Sequence, residues 1–467
     1  MPANPKLTAK PALPERWLAS LPEAERTVIQ RLIRLAEDAG VQLYLVGGPL
    51  RDLLLGRPSL DVDLAVEGDA ITLATKAAAE LNAKARTHAA FGTATLIVNA
   101  RDPARAEVSK HRAEQSAAQP TLTVDIATAR AETYERPGAL PTVRRASIED
   151  DLRRRDFTVN AMALRLTGPA RGEVIDPFGG CEDLQAGLIR ILHDRSFQDD
   201  ATRILRAARY EARFGFRIDE QAVAALKRDL AYLGTISGAR LRHELERILE
   251  EAEPERALLR LADLGALQAF QPTLAFSKEQ AKTFSQLREA TAGQGFTLTR
   301  GAYWGVLTSR LTEADAAALA ARLSLTKPQR ENVEAMPRLS ALLPALQPDR
   351  RPSEMADLLS PFPPPAIWAL ATLSNPPLRD RLLDYVRRLR HLKPRLTGDD
   401  LIRMGLRPGP RLGDILARLR DAWLDGEVPN KRDEILLVRE MVSKEADRKA
   451  PLPAHPARRP VRKVSKE

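Results

Sequence analysis

The chain has 467 residues, 44% hydrophobic and 29% charged, with a formal net charge of +10 and a pI near 9.8. That length exceeds what one compact core supports, so several domains are expected, and the basic balance favours a polyanionic partner such as nucleic acid. The single cysteine, Cys181, excludes an internal disulfide and a cysteine-based zinc site; no apolar run reaches membrane-spanning length and no signal-peptide core opens the chain, so a cytoplasmic protein is expected.

Residues 1–26 are Pro-rich and polar, a tail with a short helix near Pro14–Leu18. From Thr27 to Ala39 apolar residues recur at helical spacing (Val28, Leu32, Leu35, Ala36), and Gly40 marks the stop. A strand, Val41–Val46, runs into Gly47-Gly48-Pro49-Leu50-Arg51-Asp52. The glycine pair lets backbone approach a phosphate, and the turn offers N–H groups to an anion. A second strand carries Leu60-Asp61-Val62-Asp63-Leu64 and ends at Gly68. Side chains at i and i+2 of a strand share a face, so Asp61 and Asp63 point one way while Val62 and Leu64 point into the core. Adjacent carboxylates repel unless a cation lies between them, and all-oxygen donors suit a hard ion such as magnesium. A phosphate-accommodating turn beside metal-binding carboxylates is equipment for nucleotidyl transfer. The pattern resembles the signature of the nucleotidyltransferase superfamily that includes polymerase beta-like enzymes.

Asp69 reads as the N-cap of a helix over Ala70–Leu81, and Thr93–Val98 reads as a strand. Residues 99–119 are polar and irregular, a long hairpin loop. Leu122–Ala127 is a strand with Leu122, Val124 and Ile126 on one face and Thr123 and Asp125 on the other. Asp125 is either a third carboxylate of the site or a solvent-facing strand residue. Thr128–Ile148 is basic and turn-rich and reads as a mobile loop whose Arg130, Arg136, Arg144 and Arg145 can meet phosphate. Ser147–Asp151 opens a helix with acids in its first turn. Arg153-Arg154-Arg155-Asp156-Phe157 offers partners for a nucleotide's phosphate and ribose, or is a solvated charge cluster. Asp176–Gly180 is a turn, followed by a short helix over Glu182–Ala186 and a strand over Leu188–Leu192.

Beyond Ser196 the pattern is helical. Asp199–Arg209 reads as one helix on which Asp200, Arg203 and Arg206 share a face near Tyr210. An Asp and an Arg so held can read the Watson–Crick edge of a base, the one accepting from an exocyclic amine and the other donating. The same spacing equally fits an amphipathic helix with i, i+3 salt bridges. Further helices are expected over Glu220–Ala231, Ala239–Glu251, Pro254–Leu264, Lys278–Ala292, Thr312–Ala321, Lys327–Leu343 and Pro377–Leu392, with Pro-rich breaks at Gln347–Pro352 and Ser360–Pro365. Thr397-Gly398-Asp399-Asp400-Leu401 opens a last unit with helices to about Ser443, and the Pro- and Lys/Arg-rich remainder is expected to be disordered.

Together, Leu45–Asp63, Arg154-Arg155-Asp156-Phe157-Thr158-Val159-Asn160-Ala161-Met162-Ala163, Asp176–Gly180 with Glu182-Asp183-Leu184, Asp199–Gly215 and Thr397–Gly426 resemble the class II tRNA nucleotidyltransferase and poly(A) polymerase family. This family holds the bacterial CCA-adding enzymes and their relatives, and the likeness extends over most of the chain. It implies an α+β fold: a nucleotidyltransferase head with a β-sheet (27–168), then all-helical neck (169–270), body (271–395) and tail (396–443), flanked by tails 1–26 and 444–467. It implies that Asp61 and Asp63 hold magnesium and are catalytic, with Asp125 completing the set. Gly47, Gly48, Arg51 and Asp52 would seat the triphosphate, Arg155 a phosphate and Asp156 the ribose, with Asn160 and Arg206 in the same nucleotide site. Asp200 and Arg203 would pair with incoming CTP or ATP, so that protein side chains act as template. The implied partner is tRNA, held by backbone and shape, and the implied activity is addition of CMP and AMP to its 3′ end.

Specialised A-adding, CC-adding, poly(A)-adding and catalytically inactive relatives are the alternatives; intact Asp61, Asp63, Arg155 and Asp156 argue against the last. Family members that stop after CC tend to lack a flexible loop between the third carboxylate and the Arg-Arg-Asp motif. Thr128–Ile148 occupies that place, so terminal-A addition is expected. Asp199 stands where the family often has Glu, and segment 99–119 is longer than the usual link.

Overall fold

The protein is described from a computed structural model over residues 13–57, 61–99, 121–133, 135–136, 138, 141–293, 296–347 and 349–449. Apart from Asn99, the expected hairpin over 99–119 lies outside the described residues, as does the C-terminal segment from 450 onward. The chain divides into two compact units, Met1–Ser285 with Ala314–Thr326, and Gln286–Glu313 with Lys327–Glu467.

The first unit contains strands β1 (Gln42–Val46), β2 (Asp63–Glu67), β3 (Lys84–His88), β4 (Thr93–Asn99), β5 (Thr121–Thr128), β6 (Arg130–Thr133), β7 (Thr142–Arg145), β8 (Ala163–Arg165) and β9 (Val174–Ile175). Seven of them form one sheet in the order β3-β4-β5-β2-β1-β8-β9. Only β2 and β5 run parallel among its neighbouring pairs. Alternation dictates the two faces. Leu43, Leu45, Leu64, Val66, Leu96, Val124 and Ile126 are buried; the helices Glu23–Asp38 and Ala70–Glu80 pack on the sheet, the first through Val28, Ile29, Leu32 and Ile33. On the opposite face, Tyr44, Val46 and Ala65 cluster with Ile148, Leu152 and Ala163. Asp69 caps the second helix as its sequence suggests, Oδ1 accepting from the Ile71 and Thr72 N–H groups at 3.0 and 3.1 Å.

Two segments near the cleft depart most from their sequence reading. Thr128–Ile148 is not a loop throughout: β6 and β7 pair antiparallel as a ribbon. Two of its arginines are engaged. Arg130 donates to Glu132 and to the Phe91 carbonyl, and Arg145 pairs with Asp69. Asp199–Arg209 is not one helix. A short helix, Ser196–Asp199, stops at Asp200, whose backbone is extended, and a second begins at Thr202 and runs to Phe214. The cause is local: Asp200 Oδ1 accepts from the Thr202 N–H at 3.0 Å and from its hydroxyl at 2.7 Å, and such side-chain bonds compete with helix continuation. The helices Glu220–Asp229, Gly238–Leu249 and Pro254–Asp263 follow.

In the second unit the helix Phe296–Thr308 lies close against Pro364–Leu373. A Cβ at Gly305 would stand 2.6 Å from the Ala369 Cβ, and one at Gly301 2.7 Å from the Pro365 Cβ. Near the C-terminus, Leu396, Leu401, Leu406, Ile415, Leu419 and Val438 form a small core. Thr397 and Asp400 cap one of its helices reciprocally. Glu434 is fully buried and accepts the Arg395 and Leu396 N–H groups at 3.0 and 3.2 Å. The last helix runs Lys431–Lys449, past the expected end near Ser443. No helix among the described residues is long and apolar enough to cross a membrane.

Candidate active site

A cleft of about 920 Å³ opens in the first unit. One wall is carboxylate. Asp63 begins β2, and Asp125 lies across from it in β5, the parallel strands in register. Asp61 falls just before the strand, yet the alternation holds: Val62 and Leu64 are buried while Asp61 and Asp63 face out. The Asp125 N–H donates to the Val62 carbonyl at 3.3 Å, joining the two segments at this point. Thr95, opposite Asp125 in β4, donates its hydroxyl to Asp125 Oδ1 at 2.6 Å. Lost hydration in the cleft pushes the Asp63 carboxyl above the usual range; Arg155 opposes this, and Asp125 and Asp61 add to it. Among the described residues no three His, Cys, Asp or Glu side chains are placed to hold a metal ion by themselves.

The glycine turn forms the floor. Gly47 has φ of +68°, and a Cβ there would lie 2.6 Å from Arg155 Nη1. Only glycine lets that guanidinium cross the turn. Arg155 donates from Nη2 to buried Asp151 at 3.0 Å, and Arg154 binds the same carboxylate at 2.7 Å. Burial alone would raise the Asp151 pKa, but the two guanidiniums bring it below the usual range. Arg51, expected at the triphosphate, is only 4% exposed. It donates from Nε to Asp52 at 2.9 Å and from Nη1 to Asn160 Oδ1 at 2.6 Å, and its guanidinium lies 4.3 Å over the Phe214 ring. Arg51 and Asp52 are thus engaged with each other, and Arg51 braces the turn to Asn160.

Asp156 is the hub of the opposite wall. Oδ1 accepts from the Phe157 N–H at 2.9 Å and Asn160 Nδ2 at 3.0 Å; Oδ2 accepts from Arg206 Nε at 2.9 Å and Nη2 at 2.6 Å. Burial would raise its pKa, but Arg206 and the Asn160 bond dominate and hold it down to about 2. Arg206 in turn touches Tyr210 Oη at 3.0 Å and Glu244 at 3.4 Å. Arg203 is buried, donating to Ser196 Oγ at 2.7 Å and to the Arg154 carbonyl at 2.8 Å. Asp200 pairs with Arg240 at 2.8 Å. Asp61, Asp63, Asp125, Gly47, Gly48, Arg51, Asp52, Arg155, Asp156, Asn160, Asp200, Arg203 and Arg206 all line this one cleft, although Asp200, Arg203 and Arg206 do not share a single helix.

The helix Gly238–Leu249 supplies residues that the sequence reading passed over. Arg240, His243, Glu244 and Arg247 line the cleft at i, i+3, i+4 and i+7, with Leu241, Leu245 and Ile248 buried behind them. Such a polar stripe over a buried one is common to surface helices, so spacing alone does not single these residues out.

The family model described as the poly A polymerase head domain matches residues 43–190, and the one described as a probable RNA and SrmB-binding site of polymerase A matches 215–277. The chain is 33% identical over 423 residues to an A-adding tRNA nucleotidyltransferase of Halalkalibacterium halodurans, covering 88% of this chain and 92% of that protein. It is 33% identical over 431 residues to one of Geobacter sulfurreducens, covering 89% of this chain and 47% of the relative, so it spans about half of that longer protein. Among solved structures, the Thermotoga maritima CCA-adding enzyme complexed with tRNA aligns over 92% of this chain and 98% of its own, with a TM-score of 0.70 and 29% identity. With a near-full-length relative at that identity and a carboxylate-walled cleft in the matched head, the chain belongs to the class II tRNA nucleotidyltransferase and poly(A) polymerase family.

Proposed function

We propose that this protein transfers a nucleoside monophosphate from a triphosphate to the 3′ end of tRNA, and that it adds the terminal A. The observation that carries this reading is the in-register pair Asp63 and Asp125, with Asp61 beside it, at the edge of an arginine-rich cleft. The donors are all carboxylate oxygens; lost hydration is the main cause of the raised Asp63 pKa, and Asp125 and Asp61 add negative charge that a divalent cation would neutralise. Asp61 and Asp63 would hold magnesium, an ion that fills the rest of its shell with water and substrate phosphate and needs no closed protein cage, with Asp125 beside them. When bound, magnesium supplies a lowered pKa at the attacking hydroxyl and neutralises charge on the leaving pyrophosphate.

The chain's own residues bind and orient. Gly47 admits phosphate close to the backbone, with Arg155 Nη1 beside it. Asp156, ionised at neutral pH, would accept a ribose hydroxyl in exchange for one of the four donors it now holds. Asp200 and Arg203, which line the cleft, would read the base. A net charge of +10 suits a tRNA partner, and the likeness to a relative solved with tRNA supports it.

Terminal-A addition is supported by the two A-adding relatives at 33% identity and by the basic ribbon between Asp125 and Arg154. The second reading is complete CCA addition, favoured by the likeness to the Thermotoga enzyme. The test offers three tRNAs, lacking all three terminal nucleotides, ending after the first C, and ending after the second C, each with magnesium, CTP and ATP. The reading requires A on the third substrate. Growth of the first to full length would establish the complete activity, and failure to extend any of the three would refute both.

A further inference from the structure

The two oxygens of Asp200 have different partners. Oδ1 is committed to Thr202, through its N–H at 3.0 Å and its hydroxyl at 2.7 Å. Oδ2 meets Arg240 Nη2 at 2.8 Å. Arg240 comes from a separate helix, Gly238–Leu249, whose start is fixed by packing. A Cβ at Gly238 would stand 2.1 Å from the Arg322 carbonyl oxygen, and Arg322 Nη2 donates to the Leu233 and Ile236 carbonyls at 2.9 and 3.0 Å. The backbone that carries Arg240 is therefore placed independently of the ion pair its side chain makes.

We propose that Arg240 is a specificity-determining positioning residue, which aims Oδ2 of Asp200 into the cleft as a fixed acceptor. The inference rests on the reading of Asp200 as the group that accepts from the base. Cytosine and adenine present an exocyclic amine that donates to a carboxylate. Uracil and guanine present a carbonyl at the corresponding edge, which a fixed carboxylate repels. With Arg240 removed, Oδ2 loses the partner that orients it, and the carboxylate discriminates less. A cation that merely attracts triphosphate would act on all four nucleotides alike.

The experiment measures kcat/KM for ATP, CTP, UTP and GTP on tRNA ends with Asp200→Ala, Arg240→Ala, Arg240→Lys and the double variant Asp200→Ala/Arg240→Ala. Arg240→Gln replaces the alanine variant if that one melts early. Arg240→Ala is expected to reduce the preference for amine-bearing nucleotides by about tenfold, the scale of one charged hydrogen bond. Arg240→Lys keeps most of the preference, and the double variant discriminates no worse than Asp200→Ala, as coupled residues require. A uniform loss across all four nucleotides in Arg240→Ala, with preference lost only in Asp200→Ala, overturns the inference and leaves the base reading standing. Unchanged preference in Asp200→Ala brings down the base reading and this inference with it.

Discussion

Asp63 has lost hydration and stands among two like charges and one guanidinium, and its chemistry follows from that setting. Its raised pKa means the metal-free folded protein holds a proton that the unfolded chain gives up at the ordinary carboxylate value, so stability falls as pH rises through that window. Carboxyl titration by NMR without magnesium should place Asp63 above the usual range; Asp125→Asn should lower it and Arg155→Ala should raise it. Asp61→Ala and Asp63→Ala should each abolish nucleotide addition while tRNA affinity stays near wild type, because dispersed Lys and Arg contacts carry that affinity. Retained turnover in either variant would rule out the metal-holding role. Asp156 has the opposite sign. With its pKa lowered from 3.8 to about 2, it contributes roughly 2 kcal/mol, present above the unfolded value and lost as pH falls through the folded one. Arg206→Met strands that buried carboxylate and should cost ~3–5 kcal/mol in urea unfolding at neutral pH. The deficit should shrink in acid, where Asp156 takes up a proton.

At the scale of elements, the central strands were legible because Leu43–Val46 and Leu64–Val66 are continuous apolar runs, buried on both faces, and Val124–Ile126 alternates around Asp125. β3 was not, because Lys84, Arg86, Thr87 and His88 hide an edge strand behind polar side chains, a usual guard against edge pairing. The helix Phe296–Thr308 was missed for the converse reason. It buries Ala302, Tyr303, Trp304, Val306 and Leu307 with no polar stripe, and it carries Gly301 and Gly305, which read as breakers. Those glycines are contact surfaces. Gly305→Val should overpack Ala369 and cost ~1–3 kcal/mol in thermal or urea unfolding. The carboxylates and the Arg-Arg-Asp block were legible as site residues because each departs from the local pattern. Arg240, His243 and Arg247 were not, since a polar stripe over a buried one is what any surface helix shows. The break at Asp200 was hidden in a side-chain bond to Thr202 that spacing alone does not reveal.

For the whole molecule, the +10 charge sets an expectation for association. The logarithm of tRNA affinity should fall linearly with the logarithm of salt concentration, by roughly two orders of magnitude or more between ~50 and ~200 mM. Asp61→Ala should keep that slope, and a salt-independent affinity would contradict the charge-driven partner. The parallel pairing of β2 with β5 has a further consequence, for folding. The two carboxylates that face each other there come from segments far apart in the chain, so their meeting waits on a slow, non-local closure. A slip of one residue would turn Asp125 inward and Val124 and Ile126 out to water. Each apolar side chain so exposed forfeits ~1.5–3 kcal/mol. Mispaired chains are therefore rejected by the oily side of the sheet, and the acids are aligned without any attraction between them.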